Sequence, residues 1–444
     1  MNKPILQFKQ VLSMLSKNES EVLELLVEAG KLIIPVYLEQ ENQTWPGANF
    51  YPQDVSKEEI ENAAKRDPAI LSPYTIVEKI EGKLVAVPYH VKYAKLLKPV
   101  ADKLVEASNI TDNREFAKRL KMQAKALLDG SYDEATIAWI QMKPYILDIN
   151  IGPIERYDDR LFFTKTSYQA WVGVMDETNT KRANKYKDII FNAKRLALIP
   201  SEKIDFYDKV QIRVDDVVLF SGLIARTSFV SVNLPNNPNF MEKYGSEITI
   251  FKQANEYRLK QEVLPVFNKV FSPAFKKLFS LNDIELGLLY SSVLHELAHV
   301  YLRYRHSEQN LKDLFPIIDE LAAYVAGIRV CGFLLLKDVA SMKQLESIML
   351  AFLARGFGMA LYEKDGNSKY HYVLGGVIFI NYLLENEAIQ QSGGISWPNF
   401  TKMFFSVSEL ASILEKILAS GTRSDAEVFI KKYGDINKLQ RFKQ

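Results

Sequence analysis

Residues 285–336 read ELGLLYSSVLHELAHVYLRYRHSEQNLKDLFPIIDELAAYVAGIRVCGFLLL, and the His295-Glu296-Leu297-Ala298-His299 run inside them constrains the chain more than any other feature. On a helix, side chains four residues apart share one face a turn from each other, so the two imidazoles can reach a single tetrahedral cation. Glu296 falls just beside that face. A carboxylate there can take a proton from water held on a metal without binding the metal itself.

The helix is expected from an apolar stripe at three- and four-residue spacing through Leu286, Leu289, Val293, Leu297, Val300 and Tyr304. Asn282 with Glu285 reads as its start, and Gly287, the one weak helix former, falls in its first turns. A second helix opens at Pro316 and carries Leu321, Val325, Ile328 and Leu335. Its antiparallel return would bring Glu320 back to the histidines. Two nitrogens and one carboxylate, with the fourth position left to water, is the ligand set of a catalytic zinc and not of a closed structural one. Asp319, with its shorter arm, suits a supporting role, accepting a hydrogen bond from a ligating imidazole.

A chain of 444 residues with 48% hydrophobic side chains buries a large core and divides into two or three domains. A net charge of +2 gives no electrostatic case for nucleic acid or an acidic membrane as partner. Cys331 is the only cysteine, which excludes an intrachain disulfide and points to a reducing, cytoplasmic setting. The N-terminus lacks the apolar core of a signal peptide, and the longest apolar run, near Tyr372 to Ile380, is far short of the roughly 20 residues that span a bilayer.

Along the chain, Ser16 with Glu19 and Ser56 with Glu59 read as capping boxes, the first of them within two helices that fill the first forty residues. Thr75–Ile80 and Lys83–Val87, separated by Glu81-Gly82, read as a tight hairpin. Helices are expected at Tyr93–Ala107 and Arg114–Leu128, the latter stopped by Gly130. Tyr145–Ile154, Ser167–Met175, Val210–Phe220 and Ser228–Leu234 read as strands, whereas the basic run Lys181–Arg195 reads as a solvated helix face. From about Ala254 onward the pattern is helical, with loops near Gly366 and over Gly393–Pro398. The expected fold is α+β and predominantly helical, in two lobes with a cleft. Residues 1–175 and 210–255 form a mixed α/β lobe, and 176–209 with 256–444 form a mainly helical, zinc-binding lobe.

Several segments together resemble the dipeptidyl-peptidase III family of zinc exopeptidases. They are Asn49-Phe50-Tyr51-Pro52, Ile151-Gly152-Pro153-Ile154-Glu155-Arg156-Tyr157, Val232-Asn233-Leu234-Pro235-Asn236 and Asp319-Glu320-Leu321-Ala322-Ala323, spread over most of the chain. The resemblance implies that Glu155, Asn233 and Asn236 hold the free amino terminus and first backbone groups of a short peptide. A carboxylate and amide oxygens are what an ammonium group needs once it leaves water. It also implies that Tyr157 donates to the scissile carbonyl as it becomes an oxyanion, and that His371 lies near the reacting carbonyl. The histidines here stand one residue closer than in the family's His-Glu-x-x-Gly-His form, and Asp319 stands where the family has Glu. Relatives usually continue beyond the point matching Gly434, so a C-terminal contribution to substrate binding is expected to be missing.

The implied activity is zinc-dependent release of dipeptides from the N-terminus of short peptides. Two other readings stay open: a weak or inactive peptide-binding protein of the same fold, and a zinc hydrolase acting on a non-peptide amide.

Overall fold

A computed structural model describes residues 4–8, 14–192, 203–204, 206–227, 229–235, 237–362, 370–392 and 395–442. The chain is predominantly helical α+β and folds as two compact units, Met1–Asp176 with Asp215–Phe229, and Glu177–Val214 with Val230–Gln444.

In the first unit, strand β1 (Ile5–Gln7) is followed by the helix Lys17–Leu32, which Ser16 and Glu19 start with the expected capping box. Val22, Leu25, Leu26 and Ala29 of that helix are buried at the expected spacing, in a core shared with the helices Ala94–Ile110 and Arg114–Asp129. Gly130 ends the last of these in the left-handed conformation, which glycine adopts without a Cβ penalty. Strands β2 (Thr75–Ile80) and β3 (Lys83–Pro88) form the hairpin across Glu81-Gly82. Strands β4 (Leu147–Glu155) and β5 (Ser167–Met175) pair antiparallel, and β5 pairs onward with the second half of β6 (Val210–Gly222). The N-terminus departs from the all-helical expectation: β1 adds to β6 with Ile5 opposite Ser221.

The second unit contains the first residues of β6, up to Val214, and the antiparallel pair β7 (Ser231–Leu234) and β8 (Ser246–Phe251). Around them lie long helices with broad buried faces. The sequence reading placed residues 210–255 as one block in the mixed lobe. Residues from Val230 instead fall with the helical unit, because β7 and β8 pair with each other and pack on the helix Leu281–Tyr301. The loop expected over Gly393–Pro398 is in part a strand: β9 (Ile389–Ser392) and β10 (Ile395–Pro398) form a two-stranded ribbon, with residues 393–394 outside the described set. Gly366 also lies outside the described residues.

Two helices of this unit carry the histidine and acidic motifs. The histidine helix, Leu281–Tyr301, starts two residues earlier than expected, with Ser280 and Asp283 forming a capping box. The acidic helix, Phe315–Leu336, has Pro316 in its first turn, where the missing N–H costs nothing. Gly287 has a packing role. A Cβ there would meet the Ser347 carbonyl oxygen at 2.3 Å, so its absence lets the helix Met342–Tyr362 approach closely. No helix among the described residues is long and apolar enough to cross a membrane.

Candidate metal centre

His295 and His299 face the acidic helix from consecutive turns of the histidine helix, and their Nε2 atoms stand 3.2 Å apart. Glu320 Oε2 is 3.3 Å from His295 Nε2 and 3.8 Å from His299 Nε2. Ligands about 2.05 Å from a tetrahedral ion stand roughly 3.3 Å from one another, so these three atoms already have the spacing of three corners around one cation. Glu320 Oε2 is buried and accepts no well-formed hydrogen bond among the described residues. A buried carboxylate oxygen left that way is costly unless a cation answers it. The donor set of two imidazoles and one carboxylate fits zinc.

Asp319, one residue before Glu320, meets the other nitrogen of His299. Its Oδ2 lies 3.2 Å from His299 Nδ1, on the side of the ring away from the convergent atoms. His295 has no matching support among the described residues, where its buried Nδ1 makes no hydrogen bond, while Tyr324 packs edge-on against the ring at 4.9 Å.

Burial disfavours the charged form of every group here, and the neighbours then separate them. For His295 burial dominates and the imidazole is pushed down, toward the neutral form that a metal ligand requires. Burial also lowers His299, but the carboxylates of Asp319 and Glu320 outweigh it and raise the imidazole to about 10. Glu320 is raised by burial and then carried down to about 2 by His299 and His295.

Glu296 lies beside the three ligands, buried, and its Oε1 accepts a 2.6 Å hydrogen bond from the Ser231 hydroxyl on β7. His371 lines a pocket with Glu320, Tyr324, Met359 and Phe379, and its ring lies 4.1 Å from that of Tyr372. Asn233, on β7, keeps a buried Oδ1 with no hydrogen bond among the described residues. The second unit thus holds His295, Glu296, His299, Asp319, Glu320, His371 and Asn233. Asn236 lies outside the described residues.

Glu155 and Tyr157 belong to the first unit. Glu155 ends β4 just past a register shift and is buried. The loop that follows is pinned by Asp159, whose fully buried carboxylate accepts from the backbone N–H groups of Phe162, Thr164 and Lys165 at 2.9–3.0 Å and from the Tyr51 hydroxyl at 3.1 Å. Tyr157 stands out from this loop 41% exposed, its ring 5.3 Å from Phe229 and 6.0 Å from Phe163. Two contacts escaped the sequence reading, Ser231 on Glu296 and Tyr324 on His295. Only the first left a signal: Ser231 is two residues before Asn233 on a strand, and therefore on the same face.

Residues 48–253 match the family model of peptidase family M49. That segment, somewhat under half of the chain, resembles the family. The matched M49 segment contains Glu155, Tyr157 and Asn233 and stops short of the histidine helix, so the metal centre is an independent observation. Dipeptidyl-peptidase III from Caldithrix abyssi has a similar fold, with a TM-score of 0.88 at 24% identity over 99% of this chain and 94% of that one. Dipeptidyl-peptidase III from Corallococcus sp. strain EGB superposes with a TM-score of 0.78 at 22% identity, over 98% of this chain and 92% of that one. Among curated proteins, Nudix hydrolase 3 of Arabidopsis thaliana is 25% identical over 431 residues, covering 87% of this chain and 54% of the relative. The chain thus spans about half the length of that relative.

Proposed function

We propose that this chain is a member of peptidase family M49 and a zinc-dependent peptidase that releases dipeptides from the N-terminus of short peptides. The observation that carries the reading is the convergence of His295 Nε2, His299 Nε2 and Glu320 Oε2, with the Glu296 carboxylate beside them and outside the ligand set. A bound zinc ion would supply Lewis acidity and bring the pKa of water close to 7.

The chain's own groups do the rest. Glu296 takes a proton from the attacking water as the water oxygen bonds to the peptide carbon, and gives it to the departing amine as the C–N bond breaks. Asp319 keeps the His299 ring in one orientation through Nδ1. Glu155, Asn233 and Asn236 hold the ammonium and first amides of the peptide, which fixes where the chain is cut. Tyr157 and His371 steady the oxyanion, and the exposure of the Tyr157 phenol supports its availability to a substrate. A cytoplasmic setting belongs to the same reading, supported by Cys331, which is buried with its thiol pushed up by burial and so kept unreactive.

Release of dipeptides from dipeptidyl arylamides by zinc-loaded protein tests the proposal, with zinc content measured in parallel. Wild type is expected to turn over, and Glu296→Gln to retain zinc and lose activity by three orders of magnitude or more. Equal turnover by Glu296→Gln rejects the mechanism. Turnover that survives blocking of the substrate's amino group rejects the assignment of the dipeptide product.

A further inference from the structure

The zinc ligands and Glu296 sit on two helices, yet the contact that fixes the Glu296 carboxylate comes from a strand. The Ser231 hydroxyl donates to Glu296 Oε1 at 2.6 Å. Both residues belong to the second unit, and β7 packs directly on the histidine helix. The terminal torsion of a glutamate is broad, so an unheld carboxylate samples many directions. With Oε1 engaged, the second oxygen is confined to one.

Strand β7 pairs antiparallel with β8, Ser231 opposite Ile250 and Asn233 opposite Ile248. Side chains alternate along a strand, so Ser231 and Asn233 project from the same face. One of them holds the base. The other offers a buried amide oxygen that no group among the described residues uses. An N–H donor is what such an atom lacks, and a peptide's amino end supplies one.

We propose that Ser231 is the positioning residue of the general base, and that β7 ties the grip of Asn233 on a peptide to the alignment of Glu296. The inference rests on the peptidase reading above. Ser231 touches neither substrate nor metal; it acts by holding the carboxylate where an attacking water must lie. A group that fixes geometry only for the reacting complex lowers kcat when removed and leaves ground-state binding alone, whereas a group that grips the substrate equally in both states changes KM.

The test is steady-state kinetics of zinc-loaded Ser231→Ala, Ser231→Thr and Asn233→Ala, with zinc content by elemental analysis and calorimetric binding of an intact peptide. Ser231→Ala is expected to lose about tenfold in kcat with KM, zinc content and peptide affinity unchanged. Ser231→Thr, which keeps the hydroxyl, restores most of the rate, while Asn233→Ala weakens peptide binding. In a Glu296→Asp background, whose shorter arm cannot keep the hydrogen bond, Ser231→Ala costs nothing further. An unchanged kcat in Ser231→Ala overturns the proposal, as does loss of zinc or an equal loss of rate in the Glu296→Asp background, either of which marks a merely structural residue. Wild type that binds zinc and cleaves no peptide overturns the peptidase reading and this inference with it; wild type that cleaves, beside an unaffected Ser231→Ala, overturns this inference alone.

Discussion

Asp319 Oδ2 stands 3.2 Å from His299 Nδ1, so the imidazole is held through the nitrogen that points away from His295 and Glu320. With a cation bound between the helices, that contact would select the tautomer whose Nε2 lone pair faces it and fix the plane of the ring. Asp319→Ala should therefore weaken zinc binding by about 10- to 100-fold without unfolding the protein. Competition with a chromogenic chelator at fixed pH measures this, and an unchanged dissociation constant would show that Asp319 contributes nothing to the centre.

Gly287 separates two opposing effects of one methyl group. Helix propensity alone would make Gly287→Ala stabilising by about 1 kcal/mol. The Ser347 carbonyl oxygen 2.3 Å from the added Cβ is backbone and has little room to yield, so the clash should win and the variant should be less stable by about 1–3 kcal/mol. Urea denaturation decides between the signs.

Lys165 is buried in the first unit, where its ammonium donates to the carbonyls of Ile70 and Ser72 and to the Thr75 hydroxyl at 2.6–2.9 Å. Burial lowers its pKa to about 7 against the opposing pull of Asp159. In the unfolded chain it titrates near 10.4. Between those values the unfolded state binds the additional proton, so this residue makes stability rise with pH from about 7 to about 10. The difference in unfolding free energy between wild type and Lys165→Met, followed by denaturant titration across that range, should shift in favour of wild type as pH increases. A pH-independent difference would mean that Lys165 keeps its proton on folding.

What the sequence discloses and what it hides follow from how far apart the interacting groups are. The capping boxes at Ser16 and Ser56 and the left-handed stop at Gly130 depend on residues three or four apart and were readable as written. The His295–His299 spacing is likewise a property of one helix, and Glu320 follows once the next helix is taken as antiparallel. The strand Ser246–Phe251 is different. All six of its residues are buried, and its partner β7 lies across a separate helix, so neither alternation nor a local turn marks it as half of a pair. For the same reason the sequence pattern groups Val230 and the residues after it with the mixed segment, whereas they fall in the second unit. Gly287 looked like a tolerated helix weakness because its partner, Ser347, lies sixty residues on in a helix whose approach distance no pattern encodes. Ser280 caps the histidine helix with Asp283 in the role usually given to glutamate, so the Asn282–Glu285 spacing is the more conspicuous start signal in the sequence.

The account depends on three atoms, His295 Nε2, His299 Nε2 and Glu320 Oε2, sharing one divalent ion. Elemental analysis of zinc-loaded, gel-filtered wild type and Glu320→Ala tests this most directly, with circular dichroism confirming that the variant is folded. The predicted result is one zinc per chain in wild type and a loss of most of it in Glu320→Ala. Wild type that retains no zinc, or a folded Glu320→Ala that retains as much as wild type, would contradict the account.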